Sequence, residues 1–582
     1  MTARASLGSL EHPSVTGNFR RSSQGALDAA VQTLAEHKKA WVDLMVQQKV
    51  NILDQLMKDL LASAERWVAA SIEGKGFTAD SSAVGGEWAA GPYIVVTVLR
   101  QLRQSLLDIE RIGLPRIPGP VTTRTNGQVV ARVFPQRGYD RLFYRGVTAE
   151  VWMQPWVTVE SLPATQAVTY HAEKGSGKVA LVLGAGNVSA LGPSDVLYKL
   201  FVQNQVVVYK AHPVNAYLGP LIEESFRALV DKGFLRIVYG GSEEGAYLCN
   251  HSGVDEIHIT GSDKTFESIV FGAGPQGAAR KARKEPLLNK KISAELGNVS
   301  PVIVVPGPWS ESDLAYQGEN LAAMLTNNAG FNCNTTRVVI QHANWNQRGA
   351  LLERVRRALG KMPAQKAYYP GAQQRYEIFL SSHPEAEQFG AVADGRLPWA
   401  LIPNLDPTRK DDICFTIEAF CGILGETALA AESIPEYIER AVGFVNETLW
   451  GTLCACILVH PSSLEDPAVA AALDRAVANL HSGSIGINIW PAIAYVLSVP
   501  PWGGFPGRPL DDIQSGIGVV LNTLMFDRTQ KSVVRSPFRV RPTPPWFPGR
   551  SQVAAKLFPK LVNFEVAPSL WKLLGILGTA MR

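Results

Sequence analysis

Hydrophobic residues recur at helical spacing near the start of the chain and later form short runs that are typical of strands. Between Gln24 and about Glu73, apolar residues return every three or four positions, which predicts a packed helical layer. Residues 1–23 are polar and lack this period, so we expect a flexible N-terminus. Within 116–173, β-prone runs such as Val129–Phe134 alternate with Pro and Gly, which predicts an arm of hairpins that pairs with another subunit.

A regular alternation of strand and helix begins after this arm. Val179–Leu183, Val206–Tyr209 and Leu235–Tyr239 are short apolar runs, and segments with helical character separate them. Strands that alternate with helices predict a parallel sheet, which binds ligands at the carboxyl ends of its strands. A second region with the same alternation follows from residue 299 to 514. The fold class predicted from the pattern is therefore α/β.

Two local segments are harder to interpret from the pattern. Gly274–Lys291 is basic and is predicted to be a solvated loop, because a run of like charges usually faces water. Ile413–Phe420 is predicted to be a strand that carries one glutamate, Glu418, among apolar neighbours.

Composition excludes several classes of protein. The chain has 582 residues, of which 46% are hydrophobic and 19% charged, and its net charge is only +4, so neither long disorder nor nucleic-acid binding is expected. Its six cysteines lack the spacing of zinc ligands, and reduced thiols are expected, with no metal site. We find no signal peptide and no apolar run of membrane-spanning length, which predicts a cytoplasmic protein.

A lone thiol and a lone carboxylate are the first candidates for chemistry. Cys333 lies among amide and hydroxyl residues rather than leucines and valines, and a nucleophilic thiol needs such polar neighbours. Glu295 ends a strand-like run. A carboxylate near the thiol could activate it, or activate a water molecule that attacks a thioester.

The segments around these residues, ELGNVSP and NNAGFNC, resemble the two signature segments of the aldehyde dehydrogenase superfamily, Glu-Leu-Gly-Gly-Lys-x-Pro and Asn-x-Gly-Gln-x-Cys. Asn298 replaces the second Gly of the first segment, and Phe331 replaces the Gln of the second. The resemblance extends over about 24–536. It implies NAD(P)-dependent, non-acylating oxidation of an aldehyde to a carboxylic acid.

The resemblance also implies a domain organisation. A Rossmann-like NAD(P)-binding domain is expected to comprise the N-terminal helices and residues 24–140 and 166–298, followed by a catalytic domain at 299–514. Segments 141–165 and 515–536 would form a β oligomerisation arm, and the assembly would be a homodimer or homotetramer. Residues 537–582 form a C-terminal extension beyond the usual length of the family.

Roles for individual residues follow from the same resemblance. Cys333 would be the nucleophile, Glu295 the base for the hydrolytic water, and Asn187 an amide donor to the oxyanion. The residues expected to bind the cofactor are Lys210, Thr260, Gly261, Ser262, Leu296, Glu418 and Phe420. Pro213 stands where many members carry a glutamate that contacts the ribose, so both NAD and NADP remain open.

Other functions remain open at this point. An acyl-CoA reductase or acylating dehydrogenase is one alternative, although such enzymes typically lack a glutamate at the position of Glu295. A catalytically silent, membrane-associated scaffold is another. Apolar residues near the late loop, such as Tyr495 and Val496, favour a long-chain or bulky apolar aldehyde. The tail run Leu570–Leu577 is too short to span a bilayer, and it either contacts a membrane surface or docks on a neighbouring subunit.

Overall fold

The computed structural model describes residues 8–9, 20–78, 81–391 and 395–581. Most of the N-terminus that was predicted to be flexible (1–23) lies outside these residues. The helical layer is confirmed, and α2 packs along α4. This layer consists of α1 (Gln24–Asp43), α2 (Val46–Gly74), α3 (Val84–Trp88) and α4 (Ile94–Ile112).

The other elements follow in chain order. The arm region contains β1 (Val121–Thr123), β2 (Val129–Phe134), α5 (Gly138–Phe143), β3 (Thr148–Met153) and α6 (Val168–His171). The first α/β domain contains β4 (Val179–Leu183), α7 (Leu191–Leu197), β5 (Val206–Ala211), α8 (Gly219–Ser225), α9 (Arg227–Val230), β6 (Leu235–Tyr239), α10 (Ser242–Asn250), β7 (Glu256–Gly261), α11 (Asp263–Phe271), α12 (Gly274–Arg283) and β8 (Lys291–Leu296).

The second α/β domain contains β9 (Ser300–Val304), α13 (Glu311–Thr326), β10 (Thr336–His342), α14 (Arg348–Lys361), β11 (Gln365–Lys366), α15 (Ala372–Ser382), β12 (Glu387–Phe389), β13 (Arg396–Leu397), β14 (Trp399–Leu405), α16 (Ile413–Thr416), β15 (Ile423–Leu429), α17 (Ile434–Glu447), β16 (Cys454–Leu458), α18 (Pro467–Asn479), β17 (Ser484–Ile487) and α19 (Ala492–Leu497). The chain continues through β18 (Pro501–Trp502), β19 (Gly516–Ile517), β20 (Val520–Leu521), β21 (Thr529–Arg535), α20 (Ser551–Val566) and α21 (Leu570–Ala580).

A six-stranded sheet forms the first domain, in the order β19-β8-β7-β4-β5-β6. The strands β4 to β8 run parallel, and most of their buried positions are apolar, as is typical of a parallel sheet. Two predicted strands, Val179–Leu183 and Leu235–Tyr239, are confirmed residue for residue, and the strand that begins at Val206 extends to Ala211. The carboxyl ends of these strands meet at one edge of the sheet.

An eleven-stranded sheet forms the second domain and the arm, in the order β1-β2-β3-β21-β17-β16-β9-β10-β15-β14-β12. The arm strand β21 pairs in parallel with β17 of the same chain, where Ser532 lies opposite Ser484. β3 then pairs with the other edge of β21 in antiparallel register. The arm therefore extends the sheet of its own chain, and pairing with another subunit stays a prediction.

Two sequence-based predictions were wrong. Gly274–Lys291 is not all loop, because α12 occupies Gly274–Arg283. Pro275 in the first turn is compatible with a helix start, and the basic side chains in the last turn interact favourably with the helix dipole. Ile413–Phe420 is not a strand. Its first residues form α16, because the Asp412 carboxylate caps the helix by accepting from the Cys414 backbone N–H at 2.9 Å.

The C-terminal extension folds into two helices that pack against each other. α20 also packs on α3 and α4 of the N-terminal layer. Its buried carboxylate, Glu565, forms ion pairs with Arg100 of α4 and with Arg137. Among the helices in the described part of the chain, none combines the length and the apolar character that a membrane span requires.

Candidate active site

Cys333 and Glu295 meet between the two domains. Glu295 lies near the end of β8, Cys333 lies in the loop that leads into β10, and the thiol and the carboxyl group are close enough to influence each other's pKa. Burial raises the pKa of Glu295 to about 8, and burial together with the nearby Glu295 raises the pKa of the Cys333 thiol well above its usual value. Near neutral pH the pair therefore holds its protons, and the carboxylate is the nearest acceptor for the thiol proton.

A tryptophan adjusts the acidity of this pair. The indole Nε1 of Trp502 donates to Oε1 of Glu295 at 3.0 Å, and both side chains are buried. A donor favours the charged carboxylate, so this bond lowers the pKa of Glu295 and opposes the effect of burial. No role for Trp502 was predicted from the sequence.

Asn187 lies in the loop after β4 and lines the same cavity as Cys333. One N–H of its side-chain amide donates to the backbone carbonyl of Phe331 at 2.8 Å. An amide nitrogen carries two N–H groups, so a second donor remains for an oxyanion. The backbone carbonyl of Asn187 accepts from the Asn328 side chain at 3.0 Å and from the Tyr368 hydroxyl at 2.9 Å, which fixes this loop against the one that carries the thiol.

The helical layer supports the cysteine loop, which sequence reasoning missed. Lys75 follows α2, and its ammonium group donates to Glu87 at 2.6 Å and to the Asn328 side chain at 3.1 Å. Lys75 is only 2% exposed, so the ion pair is removed from water. Asn328 and Ala329 adopt left-handed backbone conformations with φ of 51° and 55°. The only signal in the sequence for this support was a lysine that follows a helix, four positions after Ser71.

Lys210 lies at the carboxyl end of β5, as expected for a residue facing a cofactor. Its ammonium group donates to the backbone carbonyl of Gly240 at 2.7 Å, and burial lowers its pKa to about 8. A Cβ at the neighbouring Gly245 would lie 3.2 Å from Lys210 Cε, so this glycine leaves room for the lysine side chain. Lys210 is therefore held at the sheet edge by the loop after β6.

The turn from β7 into α11 carries three of the predicted cofactor residues. The Thr260 hydroxyl is buried and donates to Asp195 at 2.7 Å, whereas Gly261 is exposed at the end of the strand. Ser262 caps α11 by accepting from the Thr265 backbone N–H at 3.2 Å. The N-terminus of this nine-residue helix thus opens at the carboxyl edge of the sheet, where its N–H groups favour an anion.

Glu418 is buried next to the segment that follows Leu296. Burial raises the pKa of its carboxyl group to about 7, and the Arg337 guanidinium opposes part of this effect. Among the described residues, no donor reaches its Oε1. The backbone N–H of Glu418 donates to the backbone carbonyl of Gly8 at 3.0 Å, and Gly8 is buried beside it.

Phe420 belongs to an aromatic cluster beside the cysteine loop. Its ring lies 4.9 Å from that of Tyr369 and 5.8 Å from that of Phe331, and Phe331 also contacts Tyr368 at 5.0 Å. Phe331, which replaces the Gln of the family signature, therefore fills an apolar space that extends from Phe420. The Arg337 guanidinium closes the cluster by donating to the carbonyl groups of Gly330 and Cys421.

A cavity of about 890 Å³ connects the thiol with the C-terminal extension. Near its inner end lie Asn187, Cys333 and Tyr495. Apolar side chains from four parts of the chain line its length: Tyr93, Ile94, Phe143, Val147, Trp490, Ile493, Val496, Trp546, Phe547, Leu557, Phe558, Leu561, Ile576, Leu577 and Ala580. The sequence suggested Tyr495 and Val496, but it did not place the extension in this wall.

Residues 168–374 match the family model described as the aldehyde dehydrogenase family. This matched segment contains Asn187, Glu295 and Cys333. It is 26% identical to human (Homo sapiens) retinal dehydrogenase 2 over 317 residues, which are 52% of this chain and 54% of that protein. It is 30% identical to 4-trimethylaminobutyraldehyde dehydrogenase of Oryzias latipes over 137 residues, which are 23% of this chain and 24% of that protein. The match thus spans about half the length of retinal dehydrogenase 2 and about a quarter of the length of 4-trimethylaminobutyraldehyde dehydrogenase.

Solved structures show the aldehyde dehydrogenase fold over a larger share of the chain. One is aldehyde dehydrogenase C of Pseudomonas syringae, a variant solved with NAD+ and octanal, with a TM-score of 0.58, 15% identity, and coverage of 89% of this chain and 90% of that chain. Another is NADP-dependent glyceraldehyde-3-phosphate dehydrogenase of Bacillus halodurans solved with NADP, with a TM-score of 0.57, 16% identity, and coverage of 89% and 92%. The predicted α/β fold class is confirmed.

Proposed function

We propose that this protein oxidises an aldehyde to the carboxylic acid with NAD or NADP. The observation that carries the proposal is the proximity of the buried Cys333 and Glu295, where Cys333 and Asn187 line one cavity in an aldehyde dehydrogenase fold. The family match supports the reaction class.

Two features of the site could bind a dinucleotide: the Glu418 carboxyl group and the N-terminus of α11. The buried Oε1 of Glu418 lacks a donor among the described residues, as expected for an acceptor that awaits a ribose hydroxyl. The N-terminus of α11 at Ser262 suits a pyrophosphate. Lys210, Gly261, Leu296 and Phe420 would border the same ligand, whereas the side chain of Thr260 is already bonded to Asp195. The bound dinucleotide would supply the hydride acceptor.

The side chains of the pair can move the protons that this reaction needs. The Cys333 thiol gives its proton to Glu295, and the sulfur attacks the carbonyl carbon of the aldehyde. The free N–H of Asn187 donates to the oxyanion of the thiohemiacetal that forms. After oxidation leaves a thioester on Cys333, Glu295 loses the first proton to solvent and accepts another from a water molecule that attacks the thioester carbon. The C–S bond then breaks, which releases the acid and the Cys333 thiolate. Trp502 keeps the Glu295 carboxylate directed at these atoms.

The substrate we propose is a long-chain or bulky apolar aldehyde. The cavity volume is in the range of sites for drug-sized ligands, and its lining beyond Cys333 is mostly aliphatic and aromatic. Each methylene of a long chain that enters this space leaves water and adds to affinity.

A series of aldehydes from butanal to hexadecanal, assayed with NAD and with NADP by the absorbance of the reduced cofactor, tests the proposal. We expect kcat/KM to rise with chain length and Cys333→Ala to lose activity by about a thousandfold or more. Absence of turnover with either cofactor in the wild type would contradict the reaction, and a preference for butanal would contradict only the substrate class.

A further inference from the structure

The last helix exposes large apolar side chains on one face. In α21, Leu570 is 68% exposed, Trp571 83% and Leu574 51%, whereas Ile576 on the opposite face is 1% exposed. Position 574 lies one helical turn after 570 and 571, so the three side chains form one continuous stripe. A stripe of this kind is costly to leave in water and usually marks a contact surface.

The segment that carries this stripe is rich in basic residues, of which Arg539 is paired with Asp313. Between Ser536 and Met581 the basic residues are Arg539, Arg541, Arg550, Lys556, Lys560 and Lys572, and the only acidic residue is Glu565. Glu565 is 4% exposed and is paired with Arg100 and Arg137, so it offers no negative charge to a partner. Lys572 and Lys560 donate to backbone carbonyl groups, and neither forms an ion pair with a described carboxylate.

The inner face of the same helix belongs to the cavity. Ile576, Leu577 and Ala580 line the space that leads to Cys333, together with Leu557 and Phe558 of α20. Met581 also lines it and is 75% exposed, so the cavity reaches the surface at the end of α21. The apolar stripe and this rim therefore lie on a single eleven-residue helix.

We infer that α21 docks on an anionic lipid surface and places the rim of the cavity at the membrane. The inference rests on the proposed function, since an apolar aldehyde is concentrated in lipid. A short helix with Trp and Leu on one side, flanked by lysines, has the composition of an interfacial helix. The positive charge without exposed carboxylates favours anionic headgroups. It disfavours a second copy of this chain, which would bring the same positive charge to the contact.

Flotation with vesicles tests this docking in the full-length protein. Wild type is mixed with vesicles of phosphatidylcholine, or of phosphatidylcholine with phosphatidylglycerol, and compared with Trp571→Ser/Leu574→Ser. The matched control is Trp156→Ser, because Trp156 is also highly exposed, at 68%, but lies in the arm region. We expect wild type and Trp156→Ser to float with the anionic vesicles. The double variant should bind these vesicles at least about tenfold more weakly. High salt should weaken binding of the wild type.

Oxidation of a water-soluble aldehyde separates this inference from the proposed function. The double variant should oxidise butanal like the wild type but should be slower on hexadecanal supplied in anionic vesicles. Equal flotation of wild type and double variant, or no flotation of the wild type, would overturn the docking. If size-exclusion chromatography shows a dimer for the wild type and a monomer for the double variant, the docking on lipid would also be overturned. The stripe would then be a contact with a second copy of this chain. Failure of the proposed function would instead appear as no oxidation of any aldehyde in the series with either cofactor, with flotation intact.

Discussion

The indole N–H of Trp502 lies 3.0 Å from Oε1 of Glu295 and opposes the rise in the pKa of this carboxyl group that burial causes. Glu295 has a pKa of about 8, and it acts as a base only when it is deprotonated. We therefore expect kcat/KM to increase with pH from about 7 to about 9.

Trp502→Phe should move this increase to higher pH by about one pH unit, because the variant loses a hydrogen bond to the charged form. The measurement is the pH profile of kcat/KM for one aldehyde, with Trp156→Phe as the control. Because the thiol and the carboxyl group are coupled, the profile reports the pair rather than either residue. A profile that stays in place, or moves to lower pH, would remove the role assigned to Trp502.

Glu295→Gln should separate oxidation from hydrolysis. The variant lacks the base for the thiol and for water, so we expect a slowed burst of about one reduced cofactor per site, which accelerates at high pH where the thiol ionises unaided, and then much slower turnover. The acyl group on Cys333 should be visible by mass spectrometry of the intact protein. Wild type should turn over without coenzyme A; strict dependence on it would favour the acylating alternative, in which hydrolysis is not the release step.

Lys75→Met should impair both stability and the site. It leaves the Glu87 carboxylate buried without its partner and removes a donor to Asn328. Breaking a buried ion pair by removing one partner costs about 3–5 kcal/mol of unfolding free energy. Urea denaturation measures this loss, and kcat should fall because Asn328 positions the cysteine loop.

The exposed Lys58→Met is the control for the lost charge. The double variant Lys75→Met/Glu87→Gln should recover part of the stability, since it leaves no lone carboxylate in the interior. If Lys75→Met is as stable as Lys58→Met, the buried pair does not support the loop.

Ala580→Phe should shorten the cavity. Ala580 lines it near the surface, and a ring there would occupy the space of the distal methylene groups. We expect kcat/KM for hexadecanal to fall about tenfold or more and that for butanal to stay nearly constant, since only the long chain reaches this wall. Ala567→Phe, on an exposed position between the last two helices, is the control. A uniform decrease for both aldehydes would indicate a general distortion of the site.

The sequence alone determined the α/β architecture and several strand boundaries, and it predicted the principal chemical groups. These features depend on local periodicity and on short motifs, so β4 and β6 and the pair Glu295 and Cys333 could be found without coordinates. Where local preference was ambiguous, prediction failed: Glu418 does not lie in a strand, because an aspartate cap begins a short helix before it.

Only the tertiary structure decided which distant residues serve the site. Trp502 lies 207 residues from Glu295, and Lys75 lies 253 residues from Asn328, so no local pattern could join either pair. The wall that α20 and α21 add to the cavity is likewise a result of packing, because an apolar tail helix has the same sequence whether it covers a cavity, a membrane or a neighbouring subunit. Burial also set the acidity of the thiol and the carboxyl group, and burial is a property of the whole fold.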